Sequence, residues 1–185
     1  RLDNLIKTLT SFVTEDNSQK INLDINTLIE NQVSLFTEKA GSSGVSIETK
    51  LDDRGCPSKV SEESINKLLK DFLVNAIEAS PDGGKIFIRT NHRPTYNILE
   101  VEDQGSGIKP EHLHKIFRPF FTTKEGSHGL SLASDYKFIK SCGGDMAVSS
   151  ILGKGTLFKV RIPIDDPFKS VNSMKKISDW NPQDN

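Results

Sequence analysis

Between Ser61 and Ser80 the apolar residues Ile65, Leu68, Leu69, Phe72, Leu73, Ala76 and Ile77 recur at three- and four-residue intervals, and no other stretch constrains the fold as strongly. That spacing lays them along one side of an α-helix. Ser61, Ser64 and the acids between them supply N-terminal capping chemistry, and Ser80-Pro81-Asp82-Gly83-Gly84 ends the run. An apolar face this broad needs a sheet to cover it.

The rest of the chain offers that sheet. Val45, Ile47, Thr49 and Leu51 alternate with polar residues, the pattern of a half-buried strand, and a turn follows from Asp52 to Pro57. Lys85–Thr90 and Tyr96–Glu102 read as two strands joined through Asn-His-Arg-Pro, and Met146–Ser150 and Thr156–Ile164 as two more around Gly153-Lys154-Gly155. A second amphipathic helix is expected from Asp24 to Ala40, carrying Ile25, Leu28, Ile29, Leu35 and Phe36 and stopped by Gly41-Ser42-Ser43-Gly44. Pro110 to Phe117 reads as a short helix, residues 118–128 have no periodicity, and a further helix runs from about Leu130 to Ser141 before Gly143-Gly144. No internal repeat is visible. Because helices and strands do not alternate strictly as βαβ, the expected class is α+β, a two-layer α/β sandwich whose mixed sheet is covered by helices on one face. A doubly wound parallel sheet fits less well.

Outside this block, Leu2, Leu5, Ile6, Leu9, Phe12 and Val13 form a stripe on a short helix with no core of its own, which calls for packing against another helix. Thr14 to Lys20 reads as a linker, and the chain from Asp165 onward is polar and turn-rich, a tail or linker. The division expected is therefore 1–20, 21–164 and 165–185. A first residue other than Met reads as a piece of a longer protein, whose upstream part could hold a membrane anchor. Within the 185 residues no window approaches the roughly 18 apolar residues of a membrane span, and Arg1-Leu2-Asp3 does not begin a signal peptide. With 24 basic and 25 acidic residues there is no overall field to recruit nucleic acid. Cys56 and Cys142 are too few for a disulfide framework or a structural zinc site and read as buried thiols in a reducing, cytoplasmic compartment.

Several segments have the makings of a site. On the Ser61–Ser80 helix, Lys67, Asp71, Asn75 and Glu78 lie three or four residues apart, in one stripe beside the apolar face. An amide oxygen with neighbouring carboxylates suits Mg²⁺, which is usually completed by waters and substrate phosphates; the same spacing also describes a solvated helix face. Asp103-Gln104-Gly105-Ser106-Gly107 follows a strand, where the acid could accept from an exocyclic amine while the glycines let a flat ring approach the backbone, or where glycine could merely shape a turn. Phe117, Phe120 and Phe121 around Pro119 lead into Thr122-Thr123-Lys124-Glu125-Gly126-Ser127-His128-Gly129-Leu130, a polar loop that opens a helix. A helix N-terminus and a mobile lysine can cradle phosphate, though an ordinary loop has the same composition. Gly153-Lys154-Gly155-Thr156 is a hairpin turn by itself.

Taken together and in this order, these segments resemble the catalytic ATP-binding domain of sensor histidine kinases, in the GHKL superfamily with gyrase B, Hsp90 and MutL. D-F-L-V-N-A-I-E-A-S (71–80) looks like the N box, E-D-Q-G-S-G-I (102–108) the G1 box and I-F-R-P-F-F-T-T-K (116–124) the F box. G-S-H-G-L-S-L-A (126–133) is similar to the G2 box and G-K-G-T-L-F-K-V-R-I-P (153–163) to the G3 region. The F box discriminates most, because relatives that hydrolyse ATP for conformational work lack it.

The resemblance implies the Bergerat ATP-binding fold over about Ile21–Ile164, with ATP and Mg²⁺ as cofactors. It implies that Asn75 coordinates Mg²⁺, with Asp71 in a water-mediated metal contact or as a base, and that Lys124 acts with them in phosphoryl transfer. Asp103 would bind the adenine amine, Gly105 and Gly107 would shape that wall, and Thr156 would stand near the base. Phe120, Thr123, Lys124, Gly126, Gly129 and Leu130 would form the lid. The helix before Thr14 resembles the end of a dimerisation and phosphoacceptor hairpin, which implies a homodimeric parent and a response regulator receiver domain as partner.

Three positions depart from the family pattern. Glu78 stands where many members have a basic residue, leaving phosphate charge to Mg²⁺, Lys124 and Arg118. Ser131 replaces the last glycine of G-x-G-L-G-L. His92, His112, His114 and His128 all fall inside the nucleotide domain, so the phosphoacceptor histidine lies outside these residues. The competing expectations are a degenerate nucleotide-binding or docking module without transfer, which Glu78 and Ser131 motivate, and a GHL-type ATPase or anti-sigma serine kinase, which the F box disfavours.

Overall fold

A computed structural model describes residues 19–164. The helix expected at 2–13 and the tail expected from Asp165 lie outside the described residues.

The helix that constrains the sequence is α2 in chain order, and it forms as its spacing dictates. Eleven elements run β1 (Ile21–Asp24), α1 (Ile25–Ser42), β2 (Ser46–Lys50), β3 (Pro57–Val60), α2 (Glu62–Ala79), β4 (Lys85–His92), β5 (Tyr96–Asp103), α3 (Pro110–Leu113), α4 (Ser131–Ser141), β6 (Asp145–Ile151) and β7 (Gly155–Pro163). Ser61 caps α2 by accepting from the Ser64 N–H at 3.1 Å. All seven residues of its expected stripe are buried. Each such aliphatic or aromatic side chain contributes about 1.5–3 kcal/mol when taken out of water, so this one face dominates the core.

The sheet that receives it has strand order β2-β4-β5-β7-β6, antiparallel except for the parallel edge pair β2/β4. Register puts Ile88 opposite Val101 and Val101 opposite Phe158, so buried side chains line up across three strands. Phe158 stacks on Phe72 of α2 with ring centroids 4.9 Å apart. The opposite face carries ion pairs, Arg89–Glu102 at 2.7 Å and Lys159–Glu100 at 2.8 Å. Helix α2 packs against α1 and α4, and all three pack against the sheet. The architecture is the two-layer α+β sandwich that the order of elements implies.

Two short strands escape the sequence reading. β1 and β3 pair antiparallel, Ile21 with Val60 and Asp24 with Pro57, just after the expected linker ends at Lys20 and where the expected turn ends at Pro57. The Asp24 carboxylate joins them to α1, accepting from Asn26 N at 2.9 Å as N-cap and from Cys56 N at 2.8 Å. Lys59 N also donates to Ile164 O at 3.1 Å, so both ends of the described domain meet at this ribbon. The helix expected from Pro110 to Phe117 stops at Leu113. Lys115 N bonds His112 O and Arg118 N bonds Lys115 O, three residues back, winding the chain into tight turns ahead of Pro119.

Candidate functional site

The end of β5, the outer turns of α2, the 118–130 loop and the β6–β7 turn enclose a cavity of about 450 Å³, a volume suited to a small organic ligand. Its wall includes Asn75, Asp103, Gly107, Thr123, Lys124, Gly129 and Thr156. Residues 81 positions apart in sequence thus share one wall.

One end is built around Asp103, the last residue of β5 and only 6% exposed. Its Oδ1 accepts from Gly105 N at 2.8 Å and Thr156 N at 3.2 Å, so Oδ2 remains for a further donor. Burial pushes this carboxyl above its ordinary range, and the two backbone N–H groups oppose that rise without cancelling it. Thr156 Oγ1 lies 3.0 Å from Ser150 Oγ, which accepts from Ile108 N at 2.8 Å. The strand end, the loop and the hairpin are therefore one hydrogen-bonded unit.

The glycines close this unit. A Cβ on Gly107, at φ +69°, would come 2.2 Å from Ile151 O, and Gly153 N donates to Ser106 O at 2.7 Å beside it. Gly105 has an ordinary φ, but its Cβ would meet Ala79 O at 2.5 Å. The first glycine permits close approach of a helix end, and the second permits both approach and positive φ.

At the other end stand α2 and the loop. Lys124 Nζ donates to Asn75 Oδ1 at 2.9 Å and to Glu78 Oε2 at 2.6 Å, tying the loop to the helix across the cavity mouth. The loop is closed at its base by Phe120 N donating to Gly129 O at 2.9 Å. Phe120 has φ +67°, the sole non-glycine residue with positive φ among those described, and its side chain is 64% exposed. Ser131 begins α4 with no positive φ, so serine in place of glycine brings no backbone strain, and it lines the cavity.

Beneath this end lies a second charged cluster. Lys67 Nζ sits 2.8 Å from Asp71 Oδ2 and 2.8 Å from Asp135 Oδ1. Asp135, on α4, has a side chain 2% exposed and a second oxygen buried without a partner. Burial, reinforced by the Asp71 charge and opposed by Lys67, raises the Asp135 carboxyl to about 7. The nearby Asp71 carboxylate thus favours the protonated form of Asp135.

Among the residues singled out from the sequence, the structure gathers Asn75, Asp103, Gly107, Thr123, Lys124, Gly129 and Thr156 on the cavity wall. Asp71, Gly105, Phe120, Gly126 and Leu130 are not on that wall, nor is Arg118. Leu130 is buried beneath the loop, and Asp71 is turned to Lys67. His112, Ile108, Leu132 and Leu152 line the cavity without having been singled out. His112 also meets Phe121 edge-on, centroids 5.3 Å apart. A histidine on a short helix carries no periodic signal that would have marked it.

Residues 60–166 match the family model HATPase_c, "Histidine kinase-, DNA gyrase B-, and HSP90-like ATPase". The chain belongs to this family. Among curated proteins it is 32% identical over 165 residues to the signal transduction histidine-protein kinase AtoS of Escherichia coli, covering 89% of this chain and 27% of AtoS. It is 33% identical to the sensor kinase CckA of Brucella abortus, covering 88% of this chain and 19% of CckA. The chain therefore spans about a quarter or less of these relatives' lengths. Among solved structures, the catalytic domain of histidine kinase ThkA superposes with a TM-score of 0.72 at 30% identity, covering 78% of this chain and 95% of that one. This HATPase_c chain thus carries the ATP-binding catalytic domain of the sensor histidine kinases.

Proposed function

We propose that this chain binds Mg²⁺·ATP in the cavity and presents the γ-phosphate to a histidine outside residues 1–185. The observation that carries this reading is the polarity of the cavity, with a buried carboxylate at one end and an amide oxygen with a lysine ammonium at the other. Asp103 Oδ2 would accept from the adenine amine, and Gly107 and the Leu152 turn would flank the ring. Lys124, on a four-carbon stem, would leave Glu78 and follow the phosphates. The transfer breaks the bond from γ-phosphorus to its bridging oxygen, forms a phosphorus–nitrogen bond to imidazole, and releases the ring proton to an acceptor outside this chain. Positioning and charge neutralisation carry such a step.

Asn75 Oδ1 already accepts from a cation, the Lys124 ammonium, and a neutral amide oxygen is a hard donor of the kind Mg²⁺ takes, so these residues fit the metal. When bound, Mg²⁺ neutralises phosphate charge. Asn75 would hold it; Asp71, engaged by Lys67, would fix the turn of α2 before it and reach the metal site at most through water.

The ThkA complex with response regulator protein TrrA, 28% identical to this chain with a TM-score of 0.76, supports a receiver domain as the eventual phosphate acceptor here. The parent is proposed to be a homodimer through its hairpin. Among the described residues no helix is long and apolar enough to cross a membrane, and the domain is proposed to work in the cytoplasm, with a parent that a membrane can anchor.

Calorimetry with ATP and Mg²⁺, followed by transfer to a separately made hairpin bearing the histidine, tests the reading. Asn75→Ala is expected to abolish Mg²⁺-dependent binding with the unfolding transition unchanged. Wild-type protein that binds nothing at millimolar nucleotide would overturn the proposal in favour of a docking module.

A further inference from the structure

We propose that Glu78 is a direct ligand of the divalent cation and is the carboxylate partner of Asn75. This rests on the nucleotide-binding reading above and assigns the metal site within it. Asn75 and Glu78 are three residues apart on α2 and therefore share a face. Their oxygens close on the same ammonium, 2.9 Å from Asn75 Oδ1 and 2.6 Å from Glu78 Oε2. An amide oxygen and a carboxylate oxygen that bracket one cation are a donor pair for another. The helix fixes the backbone that carries both oxygens, whereas Lys124 arrives on a flexible stem from a loop and is the exchangeable member.

The other acid of the stripe is engaged elsewhere. Asp71 lies one turn before Asn75, where its carboxylate meets Lys67 at 2.8 Å and faces buried Asp135. Neither acid is on the cavity wall itself, but Glu78 meets Lys124, which is. Among the described residues no three His, Cys, Asp or Glu side chains cluster as a metal cage, so the ion would take its remaining oxygens from phosphate and water, as Mg²⁺ commonly does.

Charge gives the same assignment. When nucleotide phosphates draw Lys124 away, Glu78 is left as an unpaired carboxylate beside several negative charges. A divalent cation in the vacated position removes that repulsion. A glutamate in place of a basic residue thus makes nucleotide binding depend on metal more steeply, where an isolated loss of positive charge would only weaken it.

The test measures Mn²⁺ affinity in the ADP complex by electron paramagnetic resonance, and ADP affinity with and without metal by calorimetry, on the whole chain. Glu78 is 51% exposed, so substitution leaves the core untouched. Glu78→Gln is expected to lower Mn²⁺ affinity about tenfold, the order seen when metal-site groups are removed, while metal-free ADP binds as well as to wild type or better. Glu78→Cys is expected to shift preference from Mg²⁺ to Cd²⁺, since thiolate selects the softer ion; Cys56 and Cys142 are buried and common to both proteins. Equal Mn²⁺ affinity in Glu78→Gln and wild type, or no gain for Cd²⁺ in Glu78→Cys, overturns the assignment and leaves the nucleotide reading standing. Wild-type protein that binds no ADP with Mn²⁺ overturns both.

Discussion

Replacing Asp103 by asparagine separates what this side chain does for the fold from what it does for a ligand. Its Oδ1 holds Gly105 N at 2.8 Å and Thr156 N at 3.2 Å in a buried position. Alanine would strand both donors, at about 1–3 kcal/mol each, so Asp103→Ala should lose roughly 2–6 kcal/mol of stability and confuse unfolding with lost binding. Asparagine keeps an acceptor at Oδ1 and removes a charge that burial already disfavours. Its stability at neutral pH should therefore stay within about 1 kcal/mol of wild type. At the other oxygen position it presents an N–H₂ group, which would face the adenine amine donor to donor. Losing a hydrogen bond to a charged acceptor costs about 1.5–3 kcal/mol, which is roughly 10- to 150-fold in ATP affinity. Guanine carries an acceptor at that ring position, so the ratio of ATP to GTP affinity should fall further than ATP affinity alone. Urea denaturation and calorimetry with both nucleotides measure the two effects. An Asp103→Asn protein that folds normally and keeps its preference for ATP would refute the reasoning.

Asp135→Asn should change how stability depends on pH. The folded carboxyl titrates at about 7, against about 3.9 in an unfolded chain. Between those values the folded state holds the extra proton, so wild-type stability falls as pH rises through the window. The variant should lack that component and gain on wild type from pH 5 to pH 8 in urea midpoints; a constant difference would refute the buried proton. Gly107→Ala should cost about 1–2 kcal/mol for the left-handed backbone alone, and more because its Cβ meets Ile151 O at 2.2 Å. Denaturation measures the loss, and an unchanged midpoint would show that the turn yields freely.

The sequence could show what depends on neighbours three or four residues away. The α2 stripe, the capping serine and the glycines of 105–107 are local patterns with local causes. Asn75, Asp103, Lys124 and Thr156 were legible as a set only through their order along the chain. The β1/β3 ribbon was not, because four-residue strands are too short to show alternation and exist by pairing across the α1 segment. Asp135 sits at an ordinary position of α4, and only the fold brings it to Lys67 from 68 residues away. Glu78 was visible as a departure from a pattern. Its partner Lys124, 46 residues later, gives that departure a chemical sense.

The β1/β3 ribbon has a mechanical consequence. Ile21 pairs with Val60, and Lys59 N holds Ile164 O at 3.1 Å, so the first strand residue of the domain and the residue just after its last strand are fastened to adjacent positions. A body with both attachments at one corner is not stretched when either is pulled. It is free to swivel about that corner. Under the transfer proposed above, the sandwich would turn toward its acceptor about that corner.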